Sequence, residues 1–185
     1  MLLNIFNDQF FLGILASLIA SIIFLFIILI FLAPSIKISG FIVKRPGIPE
    51  RDEPDNVYVF KIVNMSYFKC FDVNLELFRL ERLPLGNNRW DTRYKKMTLF
   101  QGSLKFVPGY WYFGDVNSSG GFAMLVKTYE NLEGFIDDDH VFLQLQVTAR
   151  HGLTGLSRVF KKDFASAHEC IKTGKHKQGR ELGMR

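Results

Sequence analysis

From Phe10 to Pro34 the sequence runs for 25 residues without a charged side chain, and that run constrains everything else the chain can do. Eighteen of the 25 are Leu, Ile or Phe; the others are Gly13, Ala16, Ser17, Ala20, Ser21, Ala33 and Pro34. At roughly 0.3–0.6 kcal/mol for each central Leu, Ile or Phe, insertion into a bilayer gains on the order of 5–11 kcal/mol. No Asp, Glu, Lys or Arg opposes that gain. As a helix the run reaches roughly 37 Å, more than the hydrocarbon thickness of about 30 Å. The sequence thus predicts a short leader over residues 1–9 and a transmembrane α-helix over 10–34.

A buried soluble helix does not stay apolar all round for this length. A cleaved signal peptide would need a basic start, an apolar stretch of about 7–15 residues and a small-x-small cleavage site. Residues 1–9 hold no Lys or Arg, and Pro34 interrupts Ala33-Pro34-Ser35. Charge asymmetry sets the orientation. Lys37, Lys44, Arg45 and Arg51 closely follow the run, whereas the leader carries only Asp8 and the α-amino group. The positive-inside rule then places the C-terminal part in the cytoplasm, in a single-pass protein of the inner (plasma) membrane. Gly13, Ser17 and Ser21 fall at i, i+4 and i+8, a small-residue stripe that would let two such helices approach. They are the candidate helix-association residues of a homo-oligomer.

All 23 Lys and Arg follow the run, with 17 of the 18 acidic residues, over the 150 residues from Ile36 to Arg185. That length holds one domain with a core. Composition excludes a collagen-like, disulfide-scaffold or wholly disordered chain. Residues 35–56 read as a Pro-rich linker and first extended segment, with Pro46, Pro49 and Pro54 and the run Glu50-Arg51-Asp52-Glu53. Period-two patterns then mark strands at 57–67, 71–82, 94–100, 103–107, 122–129, 141–150 and 156–164. The clearest set Val73, Leu75 and Leu77 against Asp72, Asn74 and Glu76, and Val141, Leu143, Leu145, Val147 and Ala149 against Gln144, Gln146, Thr148 and Arg150. About seven such strands, parted by Gly-, Pro- and Asn-rich turns, predict an antiparallel immunoglobulin-like β-sandwich over 57–164. Thirteen Phe after residue 40 would fill its core.

Residues 165–185 lose alternation and carry a basic excess. Such a tail is expected to be solvated and frayed. Held at an anionic leaflet it would gain about 1 kcal/mol per basic residue, which makes Lys172, Lys175, Lys177 and Arg180 the candidate lipid-proximal residues.

Chemistry-bearing motifs are sparse. Cys70 and Cys170 stand far apart without C-x-x-C, and in a cytoplasmic domain both stay reduced. His140, His151, His168 and His176 show no zinc-ligand spacing. Asp137-Asp138-Asp139-His140 lacks the EF-hand pattern and reads as a solvated turn before a strand. Gly120-Gly121 and Gly152-x-x-Gly155 are too short for a phosphate loop, and no nucleophile elbow occurs. Asn64-Met65-Ser66 and Asn117-Ser118-Ser119 match the glycosylation sequon, irrelevant on a cytoplasmic face. Trp90, Tyr110, Trp111 and Tyr112 could stack on bases or sugars, but the basic residues interleave with acidic ones and no nucleic-acid-binding signature is legible.

The segment Val59-Phe-Lys-Ile-Val-Asn-Met-Ser66, leading into Phe71-Asp-Val-Asn-Leu-Glu-Leu77, resembles the first half of uncharacterised bacterial single-span membrane proteins. Val141-Phe-Leu-Gln-Leu-Gln-Val147 with Gly152-Leu-Thr-Gly-Leu-Ser-Arg-Val-Phe160 is similar to their closing hairpin. The resemblance implies an N-terminal anchor with a C-terminal immunoglobulin-like sandwich, and no active site. A similar rhythm occurs in the cytoplasmic sandwich of inward-rectifier potassium channels, whose second span and pore signature are missing from this sequence.

The reading these features favour is a bitopic membrane protein whose cytoplasmic sandwich is a protein-interaction or regulatory module. It is expected to be no enzyme, to need no cofactor or metal, and to leave nucleic acid alone. Its alternatives are an exported, membrane-anchored binding domain and a membrane-bound enzyme using Asp137–Asp139.

Overall fold

The computed structural model describes residues 2–51, 53–86, 89–109, 123–135, 140–165, 167–179 and 181–185. The chain divides into two units, Met1–Ala33 and Pro34–Arg185. The first is one helix, α1 (Leu2–Phe31). Its segment Phe10–Leu29 is long and apolar enough to cross a membrane, and none of that segment is buried within the protein. With no polar face to turn outward, α1 differs from the amphipathic helix of a globular surface.

The second unit is mostly β, folded as two sheets. In the first, β3 (Asn56–Asn64) is central. One edge pairs with β1 (Ile36–Ile38) and then β2 (Ile42–Pro46); the other pairs with β7 (Ala123–Thr128). In the second, β4 (Cys70–Gly86) is central. One edge holds β6 (Ser103–Val107) and then β5 (Arg89–Met97), and the other holds β8 (Val141–His151), which carries β9 (Ser157–Phe164).

One apolar core joins the sheets. Val73, Leu75 and Leu77 of β4 and Leu143, Leu145, Val147 and Ala149 of β8 cluster with Tyr58, Phe60 and Ile62 of β3. This is the period-two face that alternation demanded. Phe60 meets Phe164 edge-on, ring centroids 5.7 Å apart, tying the two sheets together. At the start of β4 the register with β8 shifts between Phe71 and Asn74. Asp72 there has φ of 47°, a left-handed conformation that asparagine and aspartate tolerate best among non-glycine residues.

The stretch predicted for the sandwich holds seven strands, β3 to β9, and among the described residues three more lie in its flanks. Two expectations about those flanks need correction. Residues 35–56 are no free linker. β1 and β2 lie in that stretch, and a 3-10 turn at Pro49–Arg51 folds back so that Gly47 N donates to Asp55 O at 3.1 Å. Nor is the tail frayed. After a one-turn helix at Ala167–Cys170, β10 (Ile171–Thr173) joins β2 in parallel, and a bridge pairs His176 with Met184. That parallel pairing also departs from a purely antiparallel sandwich.

Candidate functional site

Gly13, Ser17 and Ser21, predicted for helix contact, are exposed on α1. The Ser21 hydroxyl donates to the Ser17 carbonyl at 2.8 Å, so it satisfies itself within the helix. A Cβ added at Gly13 would meet nothing within 4 Å. Of the basic tail residues, Lys172, Lys175 and Lys177 are exposed, while Arg180 lies outside the described residues. Lys172 sits 5.5 Å from the centre of the Phe41 ring, and Lys177 pairs with Glu181 at 2.8 Å. Asp137–Asp139, Tyr110–Tyr112, Asn117–Ser119 and Gly120-Gly121 also lie outside the described residues. Among the described residues no group of three or more His, Cys, Asp or Glu is placed to hold a metal ion.

The tail covers the outer face of the first sheet. Outward-facing Val43, Val57 and Val59 form a second apolar cluster, against which Phe41 and Met184 pack. Lys61, on the same face of β3, is only 1% exposed. Its ammonium donates to the carbonyls of Lys177 (2.5 Å) and Glu181 (2.7 Å). Burial pushes the Lys61 pKa down, with Glu181 nearby opposing that shift. His176 stacks on Phe41 at 5.3 Å and donates through Nε2 to the Val59 carbonyl at 3.0 Å. Its pKa is lowered, chiefly by burial.

Glu53 closes the 47–55 loop. Its carboxylate, 2% exposed, contacts Arg45 of β2 at 2.8 Å and Lys127 of β7 at 2.6 Å. Hydrogen bonds from Arg45 and then Lys127 bring its pKa down to about 2. A Cβ on Gly47 would lie 2.0 Å from the Pro54 carbonyl oxygen, so the loop closes only over glycine.

A third cluster lies where β3, β4, β6 and β8 turn. Asn64 is fully buried; its Nδ2 donates to the carbonyls of Phe68 (3.0 Å), Val107 (3.3 Å) and Pro108 (3.1 Å). Its Oδ1 accepts from the Ser66 amide (2.9 Å) and hydroxyl (2.5 Å). Ser35 joins this knot: its N donates to Ser66 Oγ at 3.2 Å and its carbonyl accepts from Met65 N at 2.7 Å. An amide so enclosed cannot accept a glycan in the folded protein, which disposes of the first sequon on structural grounds. Buried His151 braces the neighbouring turn, its Nδ1 within 3.4 Å of the Leu153 and Thr154 amides. Burial lowers its pKa. Beside these supports an apolar groove of about 350 Å³ is lined by Tyr67, Phe68, Lys69, Phe71, Pro108 and Leu153.

The outer face of the second sheet is open. Phe78 of β4 meets Tyr94 of β5 edge-on at 6.2 Å, and the Arg82 guanidinium lies 4.9 Å from the Phe142 ring of β8. Leu80, in register with Tyr94 on one side and Phe142 on the other, is buried. Tyr94 is 61% exposed and Trp90, near His140 at 5.5 Å, is 54% exposed. Sequence reasoning singled out Trp90 but missed this cluster, the tail dock and the Asn64 knot. Cross-strand neighbours are legible only once register is known.

No protein-family model matches the chain, and no curated protein matches it.

Proposed function

We propose that this is a bitopic membrane protein whose second unit is an immunoglobulin-like module, held in the cytoplasm, that works by binding another protein rather than by catalysis. The span reading rests on the exposed apolar segment Phe10–Leu29. The immunoglobulin-like reading draws support from strand order: β2–β3–β7 faces β5–β4–β8–β9, the pairing of strands A-B-E with C′-C-F-G. It also draws support from the resemblance of segments 59–77 and 141–160 to anchored bacterial sandwich proteins.

The observation that carries the binding reading is the unlikeness of the two outer faces. The chain's own tail covers the first sheet, while the second exposes Tyr94, Trp90 and Arg82, with Phe78 and Phe142 half-buried beside them. Aromatic and arginine side chains are enriched at the centres of protein interfaces, where they anchor binding. A photo-reactive residue at Tyr94, in the full chain in its own membrane, should give one discrete adduct. The same residue at Leu125 of β7 should not. Adducts absent from Tyr94, or identical from both positions, would refute the binding face. A periplasm-dependent reporter that is active when fused after Arg185 would refute the cytoplasmic placement.

A further inference from the structure

The turn cluster around Asn64 stands at a defined place in the chain. Ile36 pairs with Asn64, and Cys70 pairs with both Val107 and His151. Residues 65–69, 108–109 and 151–156 therefore share one end of the second unit with Ser35. Ser35 follows the last residue of α1, Phe31, by four residues. Even fully extended, four residues span at most about 14 Å. The headgroup layer on each side of a bilayer is roughly 5–8 Å deep.

This end is unlike a solvated loop cluster. Tyr67 is 57% exposed, Leu153 65%, Leu156 38%, Phe71 41% and Phe106 49%. Lys69 stands 5.8 Å from the Phe106 ring centre, a cation beside an apolar surface. Aromatic rings with a polar tip and basic side chains with apolar stems are the groups that settle at the membrane–water boundary. The turns are also packed closely on one another. A Cβ on Gly109 would fall 2.3 Å from the Phe68 carbonyl carbon, and one on Gly152 2.7 Å from the Lys69 carbonyl oxygen. Backbone there meets backbone, with Gly152 N donating to Lys69 O at 2.9 Å.

We infer that this end is a bilayer-docking surface: Tyr67, Leu153 and Leu156 enter the interfacial layer and Lys69 meets lipid phosphate. The inference rests on the spanning role proposed for α1. It would hold this end of the second unit at the membrane surface.

The test uses the full chain with Cys170→Ser, reconstituted in phosphatidylcholine–phosphatidylglycerol vesicles with brominated acyl chains. A fluorophore is placed, on the folded protein in which Cys70 is fully buried, at a cysteine replacing Ile19, Leu153 or Leu85. Leu85 is 67% exposed near the other end of β4 and serves as the distant control. Brominated lipid should quench the label at 19 and at 153, and at 85 several-fold less. Tyr67→Ser with Leu156→Ser should reduce quenching at 153 while leaving that at 19 unchanged. Quenching at 19 but not at 153, or equally at 153 and 85, would overturn the docking surface alone. No quenching at 19 would overturn the span and the docking surface together.

Discussion

Glu53 shows how one side chain turns a proline-rich stretch into folded structure. Its pKa near 2, against an ordinary value of 4.5, comes from Arg45 and Lys127. A depressed carboxylate stabilises the fold above its unfolded pKa, and the contribution disappears as pH falls through the folded value. Wild-type thermal stability should therefore exceed that of Glu53→Gln at neutral pH. The two should converge between about pH 4.5 and pH 2, followed by circular dichroism melts of the full chain in detergent. A constant gap across that window would show the ion pairs to be idle. Lys61 is the second such residue. Lys61→Met leaves the Lys177 and Glu181 carbonyls without their donor. That should cost about 1–3 kcal/mol in denaturant unfolding, and amide exchange should rise over residues 171–185 first. Neither role was legible in the sequence. Glu53 reads there as part of a charged run in a Pro-rich linker, and Lys61 as one residue of the strand expected over 57–67. Their partners lie on other strands of the first sheet and in the tail, and two of them are main-chain carbonyls, which carry no sequence signature at all.

Among the elements, those with a strong two-residue period were legible to within a few residues. The expected 103–107 coincides with β6, and the expected 141–150 stops one residue short of β8. Their alternating side chains face a core on one side and water on the other, so the local pattern reports the fold. β3 is buried on both faces, and its Val57, Val59 and Val63 match its Tyr58, Phe60 and Ile62 in burial. What covers its outer side is the tail, whose β10 has only three residues and gains its place through backbone pairing with Ile42–Lys44. No period can appear in three residues. Ending the chain after Cys170 tests the element directly. It uncovers Val43, Val57 and Val59, and should lower stability by about 2–4 kcal/mol, the worth of one to two buried valines. A lower urea midpoint and new binding of an apolar dye should accompany the loss. An unchanged midpoint would mean that the covering adds nothing.

At the scale of the whole molecule, two units of unlike solvent preference share one chain, and the second should keep its fold when the first is no longer inserted. α1 gains on the order of 5–11 kcal/mol from its apolar side chains, and each charge near its centre costs about 2.5–3.5 kcal/mol. Ile19→Asp with Ile23→Asp removes two contributions and adds two such penalties, which brings insertion close to balance. The core that unites the two sheets draws on residues from Ile36 to Phe164 and none from α1. The double variant should therefore lose resistance to alkaline carbonate extraction while residues 34–185 keep their protease-resistant fragment and their sheet signal. If the fragment disappears with membrane attachment, the second unit depends on the bilayer to fold. The interfacial turns around Asn64 would then be part of its stability and not only of its placement.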